Sequence, residues 1–254
     1  MNLRGKTAVV TGGGRGIGAA VARALSAAGA RVAVTARTRS EIARVASGLP
    51  GALAIPCDVS KEDSVRKMAA EARRRLGRVD ILVNNAGIAV SCPVLSLTLA
   101  DWNRHLAVNA TGTFLCARAF LPDMLEAKWG RVVNVASVAG KAGGPYIAAY
   151  AASKHAVLGF TRSAAAELAG KGITVNAVCP GYVDTGMTAG TLSNIAAKTG
   201  MTRAQALKAI LKENPQGRLI SPEEVASLVL WLCSDGAKGV NGQAIVMDGG
   251  EHRA

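Results

Sequence analysis

Apolar residues along this chain come in short runs of Val, Ile and Ala, separated by longer stretches in which they recur at helical spacing. The runs suit strands buried on both faces, and the stretches suit helices with one apolar side. The pattern predicts strands at Thr7 to Thr11, Arg31 to Ala36, Ala52 to Cys57, Asp80 to Asn84, Arg131 to Ala136, Thr174 to Val178 and Ala244 to Met247. Between them it predicts helices at Gly16 to Ala28, Ser40 to Ala46, Lys61 to Leu76, Ala100 to Glu126, Ala148 to Ala169, Ala189 to Lys212 and Pro222 to Cys233. Ser221-Pro222-Glu223-Glu224 marks one helix start, with a capping Ser, a Pro at the first helical position and an acid three residues beyond the cap. Strand and helix alternate throughout, so the expected fold class is α/β: a doubly wound parallel sheet of seven strands with helices on both faces.

Composition narrows the class further. The 254 residues are 50% apolar and contain no linker-like or repeated segment, so residues 1–254 are expected to form one domain. The opening Met1-Asn2-Leu3-Arg4-Gly5-Lys6 lacks the apolar core of a signal peptide, and later apolar runs are cut by charge or glycine before membrane-spanning length. The expectation is a cytoplasmic protein without a membrane partner. Five scattered cysteines (Cys57, Cys92, Cys116, Cys179, Cys233) show no Cys-x-x-Cys spacing and have only His105, His155 and His252 to join them, which argues for reduced thiols and no metal site. Lys and Arg number 30 against 17 Asp and Glu, for a net charge of +13. That excess suits anionic partners, although solvated helix faces such as Arg73-Arg74-Arg75 account for much of it.

The first predicted strand runs directly into Thr11-Gly12-Gly13-Gly14-Arg15-Gly16-Ile17-Gly18 and then into a helix. Strand, glycine loop and helix in that order make a Rossmann-like dinucleotide cradle: glycines let the backbone approach pyrophosphate, and the helix start offers it free N–H groups. Two registers fit, Gly12-x-x-x-Gly16-x-Gly18 and Gly14-x-Gly16-x-x-Ala19. A chain that binds NAD normally places an acid at the end of the second strand to hold the ribose 2′-hydroxyl. This one reads Thr35-Ala36-Arg37-Thr38, with Arg15 projecting from the loop toward the same region. Two guanidinium groups there would clamp a 2′-phosphate, so the expected cofactor is NADP(H).

Tyr150 and Lys154 stand four residues apart in a predicted helix, which puts both side chains on one face. A phenol exchanges protons near neutral pH only if its anion is stabilised, and a neighbouring ammonium does that. Ser137 follows the fifth strand at its carboxyl edge, where a hydroxyl can donate to a developing oxyanion.

With these motifs assembled, the chain resembles the short-chain dehydrogenase/reductase family over essentially its whole length. The resemblance is carried in order by Thr11-Gly12-x-x-x-Gly16-x-Gly18, Asp58-Val59, Asn84-Asn85-Ala86-Gly87, Asn109, Ser137, Tyr150-x-x-x-Lys154 and Pro180-Gly181. It implies that Tyr150 is the general acid/base, that Ser137 orients the substrate carbonyl, and that Lys154 holds the nicotinamide ribose and lowers the tyrosine pKa. Asn109 would organise a proton-relay water. Asp58 and Val59 would meet the adenine, Asn85, Ala86 and Gly87 would line the cofactor, and Pro180, Gly181, Val183 and Thr185 would close over the nicotinamide amide.

The helical insertion near 186–215 lies where the family places its substrate lid, and its length resembles that of polyketide ketoreductases and hydroxyacyl-CoA dehydrogenases. Substrate-facing positions are expected at Ser137, Ala139, Gly144, Tyr150, Tyr182 and Met187, with Ala89, Val90, Val138, Gly143 and Tyr146 extending an apolar lining. A free carboxylate would want a buried cation there, and none stands out. The expected substrate is therefore a small-molecule ketone, foremost a 3-oxoacyl thioester on coenzyme A or a carrier protein. Lys128, Lys171 and the lid cations Lys198, Arg203, Lys208 and Lys212 could meet the carrier's phosphates, or could simply be solvated. Oxidation of a secondary alcohol or hydroxyacyl-CoA, and reduction of a polyketide or cyclic ketone, remain alternatives. A nucleic-acid binder would also explain the charge, but 4% aromatic content and the absence of an interleaved basic and aromatic stripe argue against it. The family's habit implies a homotetramer built through the two long helices, here Ala100 to Glu126 and Ala148 to Ala169, and through the C-terminal segment.

Overall fold

The computed structural model describes residues 1–252. Among them are the strands β1 (Thr7–Thr11), β2 (Arg31–Ala36), β3 (Leu53–Pro56), β4 (Ile81–Asn84), β5 (Gly130–Val135), β6 (Ile173–Pro180) and β7 (Ala244–Met247). They form one sheet in the order β3-β2-β1-β4-β5-β6-β7, and every neighbouring pair is parallel. The helices are α1 (Gly16–Ala27), α2 (Arg39–Ser47), α3 (Glu62–Leu76), α4 (Leu99–His105), α5 (Gly112–Ala127), α6 (Ala148–Leu168), α7 (Gly186–Thr199), α8 (Arg203–Ile210) and α9 (Pro222–Leu232).

The sheet is covered on both faces, and the strand alternation decides which side chain goes where. In β1, Ala8 and Val10 join the core under α1 and α9, whereas Val9 joins the core under α3, α5 and α6. The first core includes Val21, Leu25, Val34, Val83, Val225 and Val229; the second includes Met68, Leu82, Phe120, Met124, Val132 and Leu168. With both faces covered, the central strands carry consecutive apolar residues, Ala8-Val9-Val10 in β1 and Ile81-Leu82-Val83 in β4, as the pattern of short runs required. The chain winds outward from β1 through β2 to β3, then returns to place β4 on the other side of β1. That reversal opens a crevice at the carboxyl ends of β1 and β4, the place where sheets of this kind bind ligands.

Two expected helices are divided. The stretch Ala100 to Glu126 becomes α4, a π-helical turn at Leu106–Thr111, and α5. The stretch Ala189 to Lys212 becomes α7 and α8, because Gly200 takes a left-handed φ of 74° that ends α7 and Thr202 starts α8 with a reciprocal capping box to Gln205. Apolar periodicity is blind to such a break, whereas Gly followed by a capping Thr signals it. The capping box expected at Ser221 is present, with Ser221 Oγ accepting from Glu224 N at 3.1 Å and Ser221 N donating to Glu224 Oε2 at 2.7 Å.

Candidate active site

The crevice is locked by Thr11, which is 1% exposed at the end of β1. Its hydroxyl accepts from the backbone N–H groups of Asn85 and Ala86, both at 3.0 Å. In return, Asn85 Nδ2 donates to the carbonyls of Thr11 at 2.9 Å and Gly12 at 3.1 Å. Gly12 has φ +62°, and a Cβ there would lie 2.8 Å from Ala86 Cα. A Cβ on Gly18 would run into the Gly12 carbonyl and Asn85 Nδ2, and one on Gly16, at φ +51°, would meet Thr185 Cγ2 at 3.1 Å. Gly12, Gly16 and Gly18 are thus held as glycine, and Gly14 is confined as well, its Cβ falling 2.8 Å from Glu41 Cβ, so the contacts accommodate both spacings of the loop. Gly13 is constrained as well, since a Cβ there would sit 2.6 Å from Val34 Cγ1.

Helix α1 follows an extended Arg15 that supplies no side-chain cap, so its first N–H groups are available to an anion. This cradle, its closeness enforced by glycine, fits the pyrophosphate of a dinucleotide. Ile17 is half-buried against the core, so it anchors the loop to the sheet. Arg37, just past β2, is exposed and makes no ion pair among the described residues. Arg15 differs from expectation: its Nη1 lies 3.4 Å from Glu41 Oε1, so the loop cation already has an acidic neighbour. Arg15 also borders a cleft of about 410 Å³ that Arg23 and Arg44 line with it.

Asp58 Oδ1 accepts from Ser60 N at 3.1 Å and Ser60 Oγ at 2.7 Å, and Val59 is buried with its Cγ2 only 2.8 Å from where a Gly112 Cβ would stand. The Val59 side chain therefore faces the core. Pro180 ends β6, Gly181 packs so tightly on Asp248 that a Cβ would stand 2.9 Å from Asp248 Cβ, and buried Val183 bridges to Ile220. Half-buried Thr185 precedes α7 and faces the glycine loop across the crevice.

The polar cluster sits at the ends of β4 and β5. Ser137, 8% exposed, leaves β5 in extended conformation, and its Oγ accepts from Ala139 N at 3.1 Å. Burial pushes the Tyr150 phenol above its ordinary value, while interaction with the Ser137 side chain draws it back down. Lys154 Nζ lies 5.7 Å from the Tyr150 ring centroid and donates to the Val135 carbonyl at 2.8 Å. Burial lowers the lysine to about 8. In the protein alone desolvation of the phenol dominates, and the group that draws it down is Ser137 rather than Lys154.

Asn109 occupies the π turn and is 1% exposed. Its Oδ1 accepts from Ile88 N at 2.8 Å, and its Nδ2 donates to Ile88 O at 3.0 Å and Ser153 Oγ at 2.9 Å. Each polar atom of the amide thus has a protein partner. A Cβ on Gly87 would fall 3.3 Å from Asn109 Oδ1 and 3.7 Å from Lys154 Nζ, which shows how closely these three positions converge.

Sequence reasoning missed two supporting residues. Ser153 is fully buried and bridges the Asn109 amide to the Tyr150 carbonyl, to which it donates at 2.7 Å. His105 Nε2 accepts from Val90 N at 3.1 Å while Nδ1 faces the Asp101 carbonyl at 2.8 Å. Spaced four apart, His105 and Asn109 together staple the loop after β4, and that spacing was the available signal.

Of the expected substrate positions, Ala139 is buried, Tyr182 is half-buried, and Gly144 and Met187 are exposed. Burial, with the Glu251 carboxylate nearby, raises the Tyr182 phenol. Tyr146 has φ 66° and is held by Cys92 N donating to its carbonyl at 2.7 Å.

A dinucleotide cradle beside a Ser, Tyr and Lys cluster at the carboxyl edge of a parallel sheet defines a nicotinamide-dependent oxidoreductase. Residues 12–252 match the family described as Enoyl-(Acyl carrier protein) reductase. The chain belongs to the short-chain dehydrogenase/reductase family. It is 38% identical to a D-beta-hydroxybutyrate dehydrogenase of Rhizobium meliloti (strain 1021), covering 96% of this chain and 98% of the relative. It is also 38% identical to the 3-oxoacyl-(acyl-carrier-protein) reductase FabG of Aquifex aeolicus (strain VF5), covering 98% of each. Among solved structures, the actinorhodin polyketide ketoreductase with NADPH superposes with a TM-score of 0.94 at 38% identity, covering 98% of each chain.

Proposed function

We propose that this protein is an NADPH-dependent ketoreductase whose preferred substrates are 3-oxoacyl thioesters. The observation that carries the reading is the placement of Ser137, Tyr150 and Lys154 around one point at the end of β5, facing the glycine cradle. The nicotinamide, when bound, supplies the hydride that reaches the carbonyl carbon. Ser137 donates a hydrogen bond to the carbonyl oxygen, and Tyr150 donates the proton that completes the alcohol. Lys154, at about 8, is an ammonium near neutral pH and stabilises the phenolate that Tyr150 leaves behind. The Asn109 carbonyl accepts from Thr113 Oγ1 at 2.7 Å, and in this reading it also receives the relay water.

Arg15 and Arg37 hold the 2′-phosphate in this reading, and the NADPH in the ketoreductase structure supports that choice. Helices α7 and α8 act as the lid, and the whole chain works as one domain in the cytoplasm. The thioester is favoured by the apolar exposure of Val90, Tyr146 and Met187, at 46%, 61% and 46%, and by the likeness to the Aquifex 3-oxoacyl-(acyl-carrier-protein) reductase. The R. meliloti relative favours a second reading, oxidation of a hydroxyacid. Activity toward acetoacetyl-CoA, longer 3-oxoacyl thioesters, cyclic ketones and free 3-hydroxybutyrate separates the two, scored by NADPH consumption or NAD(P) reduction. Thioesters are expected to give the highest kcat/KM, and a best substrate among the free hydroxyacids would overturn the thioester assignment. For the cofactor, Arg15→Ala with Arg37→Ala is expected to raise the NADPH Kd at least about tenfold, as loss of charge-assisted phosphate bonds implies. An unchanged Kd would reject NADP(H).

A further inference from the structure

We infer that Glu41 sets the strength of nucleotide discrimination by competing with a 2′-phosphate for Arg15. The inference rests on the proposed NADPH reading and adds to it a residue that opposes the clamp. The Glu41 side chain is packed directly beneath the glycine loop: a Cβ on Gly14 would stand 2.8 Å from Glu41 Cβ and 3.3 Å from Glu41 Oε2. Only 29% of that side chain is exposed, while Arg15 is 77% exposed. The acid is therefore fixed by the fold and the arginine swings. At 3.4 Å from Glu41 Oε1, the Arg15 guanidinium has a resting partner before any phosphate arrives.

A guanidinium that leaves a carboxylate for a phosphate gains less than one that leaves water, because the acid it abandons is then uncompensated beside a second anion. NADH carries no phosphate at this place and asks nothing of Arg15, so Glu41 weakens NADPH binding selectively. Arg37, exposed and without an ion pair among the described residues, carries the remaining preference. Like charges separated by a few ångströms at a wet, screened surface imply a penalty of about three- to tenfold in Kd.

The test is a set of NADPH and NADH dissociation constants, by calorimetry on the intact protein, for the parent, Glu41→Gln, Arg15→Ala and the double variant. Glu41→Gln keeps the shape beneath Gly14 and is expected to tighten NADPH about three- to tenfold while leaving NADH unchanged. That gain is expected to vanish in the Arg15→Ala background, since the competition then has no object. An E41Q protein with unchanged NADPH affinity, an equal change for both nucleotides, or a gain that persists without Arg15 would each overturn the inference. If Arg15→Ala alone left NADPH binding untouched, the inference would fall, because Arg15 would then hold no phosphate; a parent that binds NADPH no more tightly than NADH would instead remove the underlying NADP(H) reading, so the two failures are distinguishable. Thermal unfolding of each variant, expected to match the parent within a few degrees, confirms that the constants report on folded protein.

Discussion

Tyr150 carries two opposed influences, and their balance governs how the site responds to pH. Burial holds the phenol neutral, which suits a proton donor, and Ser137 favours the anion that remains after donation. Replacing Tyr150 with Phe removes the proton and little volume, so kcat is expected to fall by about 10²- to 10⁴-fold with nucleotide Kd close to the parent's. Steady-state turnover alongside NADPH titration checks this, and parental turnover would remove Tyr150 from the chemistry. Lys154 gives a stability signature of its own. Its folded value of about 8 lies below the ordinary 10.5, so the unfolded chain holds the proton more tightly between those limits. Stability contributed by this group therefore rises with pH across that window, by about 2 kcal/mol from pH 8 to pH 10. Tyr150, raised above 10, contributes stability that is lost as pH climbs through 10 and beyond, which opposes the lysine only at the top of the window. Urea unfolding of the parent and Lys154→Met at pH 8, 9 and 10 is expected to show a rising difference, and parallel profiles would contradict a buried ammonium.

The glycine loop and the π turn position the site at the scale of elements, and each does so through backbone contacts. Gly18 lies inside α1, yet its missing Cβ is what lets Asn85 reach the Gly12 carbonyl. Gly18→Ala would separate β1 from the loop after β4, and overpacking of this kind costs about 1–3 kcal/mol. The variant is expected to lose more than tenfold in nucleotide affinity and to melt several degrees lower, measured by titration and calorimetry. Much of this was legible beforehand: glycine order, strand ends and the i, i+4 pair all follow from local chemistry. The division of Ala100 to Glu126 was not, because the π turn exists to aim Asn109 at Ile88, a partner supplied by another element. The Arg15 pairing was hidden for the same reason. Glu41 reaches the loop only once α2 has folded back beside α1, 26 residues along the chain.

At the scale of the molecule, a parallel sheet of seven strands was implied by the alternation of strand and helix, while the order β3-β2-β1-β4-β5-β6-β7 is one of the few topologies that parallel crossovers leave. What the alternation could not convey is the surface left over after the two cores are filled. Leu95, Val94 and Leu99 are exposed at 101%, 67% and 73%, and Phe114 on α5 remains 41% exposed while stacking edge-on against Phe160 of α6 at 6.3 Å. β7, at the sheet edge, is apolar and only half-buried along its whole length. Apolar residues exposed from the turn before α4 through Phe114 on α5, and along a terminal strand, mark surfaces that a second copy is expected to cover. These are the two regions through which a tetramer is expected to assemble, and they are independent, so one can be broken without the other. Phe114→Glu places a charge in the helical surface, where burial without a partner is costly. Sedimentation equilibrium is expected to give a parent mass of four 25.9 kDa chains and a smaller assembly for Phe114→Glu, with β7 contacts preserved. A parent that sediments as a single chain would show that the exposed Leu95 and Phe114 serve something other than self-assembly.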